Sequence, residues 1–404
     1  MTGIGRRLCP KSPNRGGATM SEEAKYKVGL IGAGRAGVPR ARAFDLHPLC
    51  EVVAIADTDR ANLDLAAGRF GAPGYETWDE MLENHDLDIG MAVLPVRPNA
   101  DAVVALAQAG VKTIFCEKPL TGSLEDADRM VEETSSRGIP LVCGVVVSST
   151  PDYQRAYQLV ADGEIGEIVR INLYENNNQM GTHGLNLARR FAGRPNGGLA
   201  IGWVSGDPLA EAEDEHEDGT PGYGALGGYF RFDNEVEVFS NYRLPNHHWR
   251  GIEIMGTHGA IFNWNNTGPG LHLVRAESSE RPPVWEEFTD VQGLFLPRDS
   301  IRERDYDEDG WRYPGDVMLG IVAEMVENLE TGAPIGATTG DDMRQALEIA
   351  VALRESARNG HAPRRFPSED RSISMLPQKT RWFYKKTIMG DEAYMAQLAE
   401  QKKD

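Results

Sequence analysis

Cysteine is scarce in this chain of 404 residues, with four in all: Cys9, Cys50, Cys116 and Cys143. No two form a Cys-x-x-Cys pair, and their spacing fits neither a zinc pattern nor a disulfide framework. Cys116 and Cys143 stand in apolar runs, where buried thiols are expected. Such usage suits a reducing compartment, and the cytoplasm is the expected location. Long apolar runs are missing too. The longest, Ile89 to Val96, is far short of a membrane span. Arg6-Arg7 has no apolar segment behind it, so a signal peptide is not expected. Basic residues are outnumbered, 42 Lys and Arg against 61 Asp and Glu, for a net charge of −19. That balance argues against partners with phosphate backbones or anionic lipid surfaces. One phosphate can still be held locally by backbone N–H groups. No His-Glu-x-x-His or similar pair occurs, so no metal site is expected.

What is present reads as an ordinary globular chain, 41% hydrophobic and 25% charged. Residues 1–24 are rich in Gly, Pro, Lys and Arg and read as a disordered lead, with Met20 a second possible start. From Lys25 to Val147, apolar runs at Val28–Ile31, Val52–Ala56, Met91–Leu94, Thr113–Cys116 and Leu141–Val147 alternate with amphipathic stretches. Continuous apolar runs suit strands buried on both faces, and the alternation predicts a doubly wound parallel sheet over 25–147. The texture changes over 148–368. A helix at Pro151–Asp162 and a strand at Val169–Tyr174 are followed by a short helix at Leu185–Phe191. Strands are then expected at Tyr229–Phe232, Val236–Tyr242, Gly251–Met255 and Ala260–Trp264. Helices are expected at Val317–Glu330 and Asp341–Arg358. The fold class is therefore α/β: an N-terminal Rossmann-type domain, then an α+β domain with a large, open, mainly antiparallel sheet. An open sheet must cover its free face, so a homo-oligomer, dimer or tetramer, is expected through it. Residues 369–404 form a polar tail with Trp382, Phe383 and Tyr384 as packing candidates.

Gly32-Ala33-Gly34-Arg35-Ala36-Gly37 follows the first strand and opens a helix. In a dinucleotide site the first glycine makes the tight turn, the second lets backbone approach a pyrophosphate, and the third lets helix and strand pack. Arg35 and Ala36 lie at the helix N-terminus, whose N–H groups favour phosphate. Asp57 ends the second strand about 20 residues further on, where a carboxylate accepts from the ribose hydroxyls of NAD and repels a 2′-phosphate. Its other reading is a turn or helix cap. NAD is thus expected over NADP, with nearby Arg60 the one residue that suits a 2′-phosphate.

With this glycine motif and Asp57, the segment Cys116-Glu117-Lys118-Pro119-Leu120 resembles the Gfo/Idh/MocA family of glucose-fructose oxidoreductases and inositol dehydrogenases. Further matching stretches are Asp162-Gly-Glu-Ile-Gly166, Thr182-His183 and Ile254-Met-Gly-Thr-His-Gly259, so the likeness runs from about Tyr26 to Pro367. The resemblance implies oxidation of a secondary hydroxyl of a sugar, sugar derivative or cyclitol, with hydride passing to NAD(P). It implies that Lys118 meets the reacting hydroxyl, often before a cis proline, and that Glu117 and Pro95 line the cofactor. It also implies that His183 takes the hydroxyl proton, with Gln179 and Asn186 beside the substrate. A cation suits the developing alkoxide, and a neutral imidazole suits proton acceptance. The chain departs from the family at Gln179, where an acid usually precedes the histidine, and at Asn186, where many members have Asp. Glu175 is one possible source of the missing carboxylate.

Four further features lie outside these motifs. The acidic run Asp207 to Asp218 is a solvated loop or a lid. Asn246–Arg250 is a turn, a subunit contact or a sugar-binding edge. Arg302 to Tyr313 supplies Trp311 and Tyr313 as candidate substrate contacts, because flat rings suit sugar faces. Val147-Ser148-Ser149-Thr150 replaces an Arg-aromatic pair and suggests a different pocket floor. Two rival functions stay open. One is redox-neutral glycoside cleavage by transient oxidation; the other is a non-catalytic nucleotide-binding regulator.

Overall fold

The computed structural model describes residues 25–174, 181–210, 225–241, 251–264, 270–276, 282–289, 291 and 314–375. Two sheets organise them. The first is parallel, with strands β1 (Tyr26–Ile31), β2 (Cys50–Ala56), β3 (Gly74–Tyr75), β4 (Ile89–Ala92), β5 (Thr113–Cys116) and β6 (Leu141–Cys143). Its order is β3-β2-β1-β4-β5-β6, so the strand order reverses between β1 and β4. Helices α1 (Gly37–Asp45), α2 (Arg60–Phe70), α3 (Trp78–Asn84), α4 (Asn99–Gln108) and α5 (Leu124–Ser136) connect the strands. Most strand residues are buried, as the unbroken apolar runs require.

The chain then passes through a short 3-10 turn (Val146–Ser149) into α6 (Pro151–Ala161), β7 (Ile168–Tyr174) and α7 (Gly184–Phe191). Strands β8 (Gly198–Val204), β9 (Leu226–Phe232), β10 (Glu237–Asn241), β11 (Gly251–Gly256), β12 (Gly259–Trp264), β13 (Gly270–Arg275) and β14 (Val284–Phe288) follow. Helices α8 (Asp316–Thr331) and α9 (Gly340–Arg358) precede a short β15 (Arg364–Phe366). The second sheet runs β14-β13-β12-β11-β7-β10-β9-β8-β15. All its pairings are antiparallel except β10 with β7. Strands β10 and β11 follow one another in sequence, yet β7 lies between them, with β10 parallel to it. Strand β8, rich in glycine, gave no strand signal, although it pairs with β9 along its whole length.

Two packing facts set the architecture. Helix α8 follows the strands of the second sheet in sequence but packs on the first. Met318, Ile321, Val322 and Met325 share a core with Val28, Leu30, Val38 and Phe44. Its last turn is tied to β1, where Lys25 Nζ lies 2.6 Å from Glu330 Oε1 and the Tyr26 hydroxyl donates to the same carboxylate. Helix α9 is buried along most of its length, with Met343, Leu347, Ala350 and Leu353 in one core with both sheets. Its start is fixed by a capping box between Thr339 and Asp342.

Candidate active site

The glycine motif occupies the turn between β1 and α1, and its three glycines meet different surroundings. Gly32 has φ +95°, and a Cβ there would collide with the carbonyl of Val93. A Cβ on Gly37 would collide with the carbonyl of Gly32, so helix and strand can close only if it is absent. A Cβ on Gly34 would have nothing within 4 Å. Among the described residues no atom requires glycine at position 34, and the open space in front of it fits the close approach of a pyrophosphate to the backbone. The chain thus fits a dinucleotide at the carboxyl ends of β1 and β4, the strands flanking the switch point. Arg35 is half-buried and Ala36 exposed at the start of α1.

Asp57 follows β2 and reaches back to the same turn. Its Oδ2 accepts from the Ala33 N–H at 2.7 Å, and its Oδ1 accepts from Asp59 N–H at 2.8 Å. The carboxylate therefore braces the glycine loop as well as its own turn, while Asp59 caps α2. Arg60 is exposed and engaged elsewhere, 2.9 Å from Asp64 and 3.5 Å from Glu76. Pro95 is exposed in the loop after β4.

Glu117-Lys118-Pro119 leaves the carboxyl end of β5, on the same edge of the sheet as the glycine loop. The Lys118–Pro119 peptide is cis. Glu117 is buried, and its Oε2 accepts from Arg40 Nε of α1 at 2.9 Å, which ties the cofactor helix to the lysine loop. Lys118 is half-buried. Cys116 and Cys143 face each other across β5 and β6, and both are fully buried. Burial pushes both thiols well above the ordinary range, so neither is poised as a thiolate nucleophile beside Lys118.

His183 stands at the N-cap of α7 and is half-buried. The preceding Gly181 has φ +67°, and a Cβ there would strike the Ala346 carbonyl, so this loop lies directly on α9. The helix itself is anchored by Arg189, whose Nη1 lies 2.8 Å from Asp342 Oδ1, both side chains being buried. Burial works against a charged Asp342. Arg194, the Thr339 N–H and Arg190 outweigh it and hold the carboxyl below its usual range. Asn186 is fully buried and donates to Thr338 Oγ1 at 3.2 Å. Ser148 and Thr150 are likewise buried and bonded to protein atoms, to Thr338 and to the Val147 carbonyl respectively. Gln179, Trp311 and Tyr313 lie outside the described residues, as do Glu175, Asn246–Arg250 and most of the acidic run 207–218. Within that run, Asp207 closes a turn by accepting from Leu209 N–H.

Sequence reasoning missed Arg40 and Thr338. Neither belongs to a motif, and each acts on a residue far away in the chain. A cavity of about 330 Å³ lined by Ile139, Leu141, Ile335 and Thr339 sits beside the amino end of β6. Among the described residues, no helix is long and apolar enough to cross a membrane.

Comparison with known proteins agrees with this geometry. Residues 26–145 match the family model described as "Oxidoreductase family, NAD-binding Rossmann fold", of the GFO_IDH_MocA group. The inositol 2-dehydrogenase of Rhizobium meliloti (strain 1021) is 24% identical over 348 residues, covering 82% of this chain and 96% of that protein. An NAD-binding oxidoreductase from Klebsiella pneumoniae superposes with a TM-score of 0.68 at 17% identity, over 86% of this chain and 100% of the other. Levoglucosan dehydrogenase, in complex with NADH and levoglucosan, gives 0.66 at 19% identity, over 85% of this chain and 100% of its own. At such identities the structural likeness speaks for the fold.

Proposed function

We propose that the chain, whose residues 26–145 match the Gfo/Idh/MocA oxidoreductase family, is an NAD-dependent dehydrogenase acting on a secondary hydroxyl of a sugar, sugar derivative or cyclitol. The observation that carries the reading is the position of Lys118. It leaves the carboxyl end of β5 on the same sheet edge as the glycine loop, where ligands of open α/β sheets bind. In this reading, bound NAD supplies the hydride acceptor. Lys118 donates to the substrate oxygen and stabilises the negative charge that grows as its proton leaves. His183 accepts that proton, the work for which imidazole is suited near neutral pH. Asp57 favours NAD over NADP by accepting from ribose hydroxyls and repelling a 2′-phosphate. The related inositol 2-dehydrogenase and levoglucosan dehydrogenase make polyols and anhydrosugars the first substrates to try.

We also propose that a second copy covers the open face of the second sheet. Trp203, Phe239 and Trp285 are exposed on that sheet, and Trp285 stacks on Phe262 at 5.5 Å. Buried free thiols at Cys50, Cys116 and Cys143 suit a reducing, cytoplasmic setting.

The test is direct. NAD+ should raise Tm and NADP+ should not. At about 100 times Kd the stabilisation is about 2.7 kcal/mol. A panel containing myo-inositol and levoglucosan should yield NADH. Lys118→Ala and His183→Ala should each lower kcat by about 10²–10⁴-fold while keeping the NAD+ shift. If neither nucleotide moves the melting curve, the reading fails. Glycoside cleavage without net NADH would replace it with the redox-neutral alternative.

A further inference from the structure

The groups assigned to proton transfer come from opposite halves of the fold. Lys118 follows β5, and His183 starts α7. A buried chain of hydrogen bonds runs between these two elements, and it passes through Thr338. On one side, the Cys143 N–H of β6 donates to the Thr338 carbonyl at 2.8 Å, and the Gly144 N–H donates to the Cys116 carbonyl at 2.8 Å, two residues before Lys118. On the other side, two residues of α7 converge on the Thr338 hydroxyl. Asn186 Nδ2 and Arg190 Nη1 each lie 3.2 Å from Oγ1. Asn186 and Arg190 are four residues apart, so they share one helix face, and Asn186 follows His183 by three.

The bonding is closed and directional. Ser148 Oγ sits 2.7 Å from Thr338 Oγ1 and also donates to the Val145 carbonyl at 2.9 Å. Its single proton is therefore used, and Thr338 must be the donor between the two hydroxyls. Both lone pairs of Thr338 Oγ1 then accept from Asn186 and Arg190. Thr338, Ser148 and Asn186 are all fully buried, so water does not substitute for any of these bonds.

We propose that Thr338 is a positioning residue that sets His183 against the Lys118 strand, and that Asn186 acts through it rather than on the substrate. The proposal rests on the reading of His183 as the proton acceptor. It explains the Asn at position 186. An amide donates to Thr338 while leaving the hydroxyl proton for Ser148. A carboxylate at that position can only accept, so it would compete with Ser148 for the one proton available.

The experiment uses the full chain without substrate. The Cε1–H resonance of His183, assigned by its loss in His183→Gln, is followed by NMR through a pH titration. Thr338→Val keeps the side-chain shape and removes the hydroxyl. The His183 titration should shift or broaden, and the NAD+ thermal shift should persist. Thr338→Ser should restore the wild-type curve. If Thr338→Val does not fold, Asn186→Leu cuts the same tie from the helix side and carries the same expectation. A His183 curve unchanged in a folded Thr338→Val or Asn186→Leu protein overturns the proposal. With myo-inositol as probe, Thr338→Val should lower kcat on the order of 10²-fold with little change in the KM for NAD+. His183→Ala with wild-type turnover would instead sink the base reading, and the titration would still report whether the tie exists.

Discussion

The two sheets of this protein solve the same burial problem in opposite ways. The first sheet covers both faces with its own chain, so its strands can be apolar throughout. The second covers one face with α6, α7 and α9 and leaves the other to solvent, with side chains such as Arg170, Glu237 and Phe239 outward. A fully enclosed sheet can carry a binding loop at its edge without further support. A half-covered sheet leaves its free face to water or to a partner, and here charged anchors hold its seam with the rest of the molecule. Cofactor chemistry is accordingly assigned to the edge of the first sheet, and substrate positioning to the seam.

The sharpest way to break that contrast is at the seam. Arg189→Ala removes one of the two guanidinium groups bonded to buried Asp342, leaving Arg194 at 3.0 Å, and should cost about 1.5–3 kcal/mol in urea unfolding. A loss below about 1 kcal/mol would mean that the Arg189–Asp342 pair contributes no more than an exposed one. Next comes a pair of substitutions in the glycine loop. Gly37→Val should cost about 1–3 kcal/mol, because its side chain meets the Gly32 carbonyl. Gly34→Val should leave stability within about 0.5 kcal/mol of wild type yet abolish the NAD+ thermal shift. Equal effects on stability would refute the division of labour between these glycines.

The third is a pH dependence. The carboxyl of Asp342 is held below its usual value of 3.8, so its contribution to stability is full above that value. It is lost as pH falls through the depressed folded-state value. The stability gap between wild type and Asp342→Asn should therefore be widest near neutrality and narrow in acid below about pH 4. A gap that widens in acid would have the wrong sign. The smallest effect on stability is expected on the open face. Phe239→Asp and Trp285→Glu should lower the mass measured by light scattering, with a modest fall in Tm as the partner's stabilisation is lost. An unaltered mass would remove the proposed subunit contact from this face.

How much of this was legible beforehand follows the same divide. The first sheet could be read from runs such as Val52–Ala56, because burial on both faces writes an unbroken apolar word. The glycine loop and Glu117-Lys118-Pro119 were readable because their chemistry is local. In the second sheet, strand β8 (Gly198–Val204) was not readable. Its glycines lower every strand signal, yet it pairs fully with β9. The insertion of β7 between β10 and β11 is a long-range pairing that no local pattern encodes. Asn186 was placed beside the substrate by the family resemblance, since it stands where many members have Asp. The structure buries it against Thr338, 152 positions away in the chain. Only tertiary packing brings those two together.

Helix α8 carries a consequence for how the molecule is made. It is the cover for β1 and α1, yet it begins at Asp316, after every strand of the second sheet except β15. A ribosome adding about 5–20 residues per second releases the nucleotide-binding strands long before their lid is synthesised. During that interval Val28, Leu30, Val38 and Phe44 must wait with one flank bare. A fragment ending at Val147 would keep that bare flank permanently, so the cofactor-binding half cannot be expected to behave as a self-sufficient module when cut at the point where its own strands end.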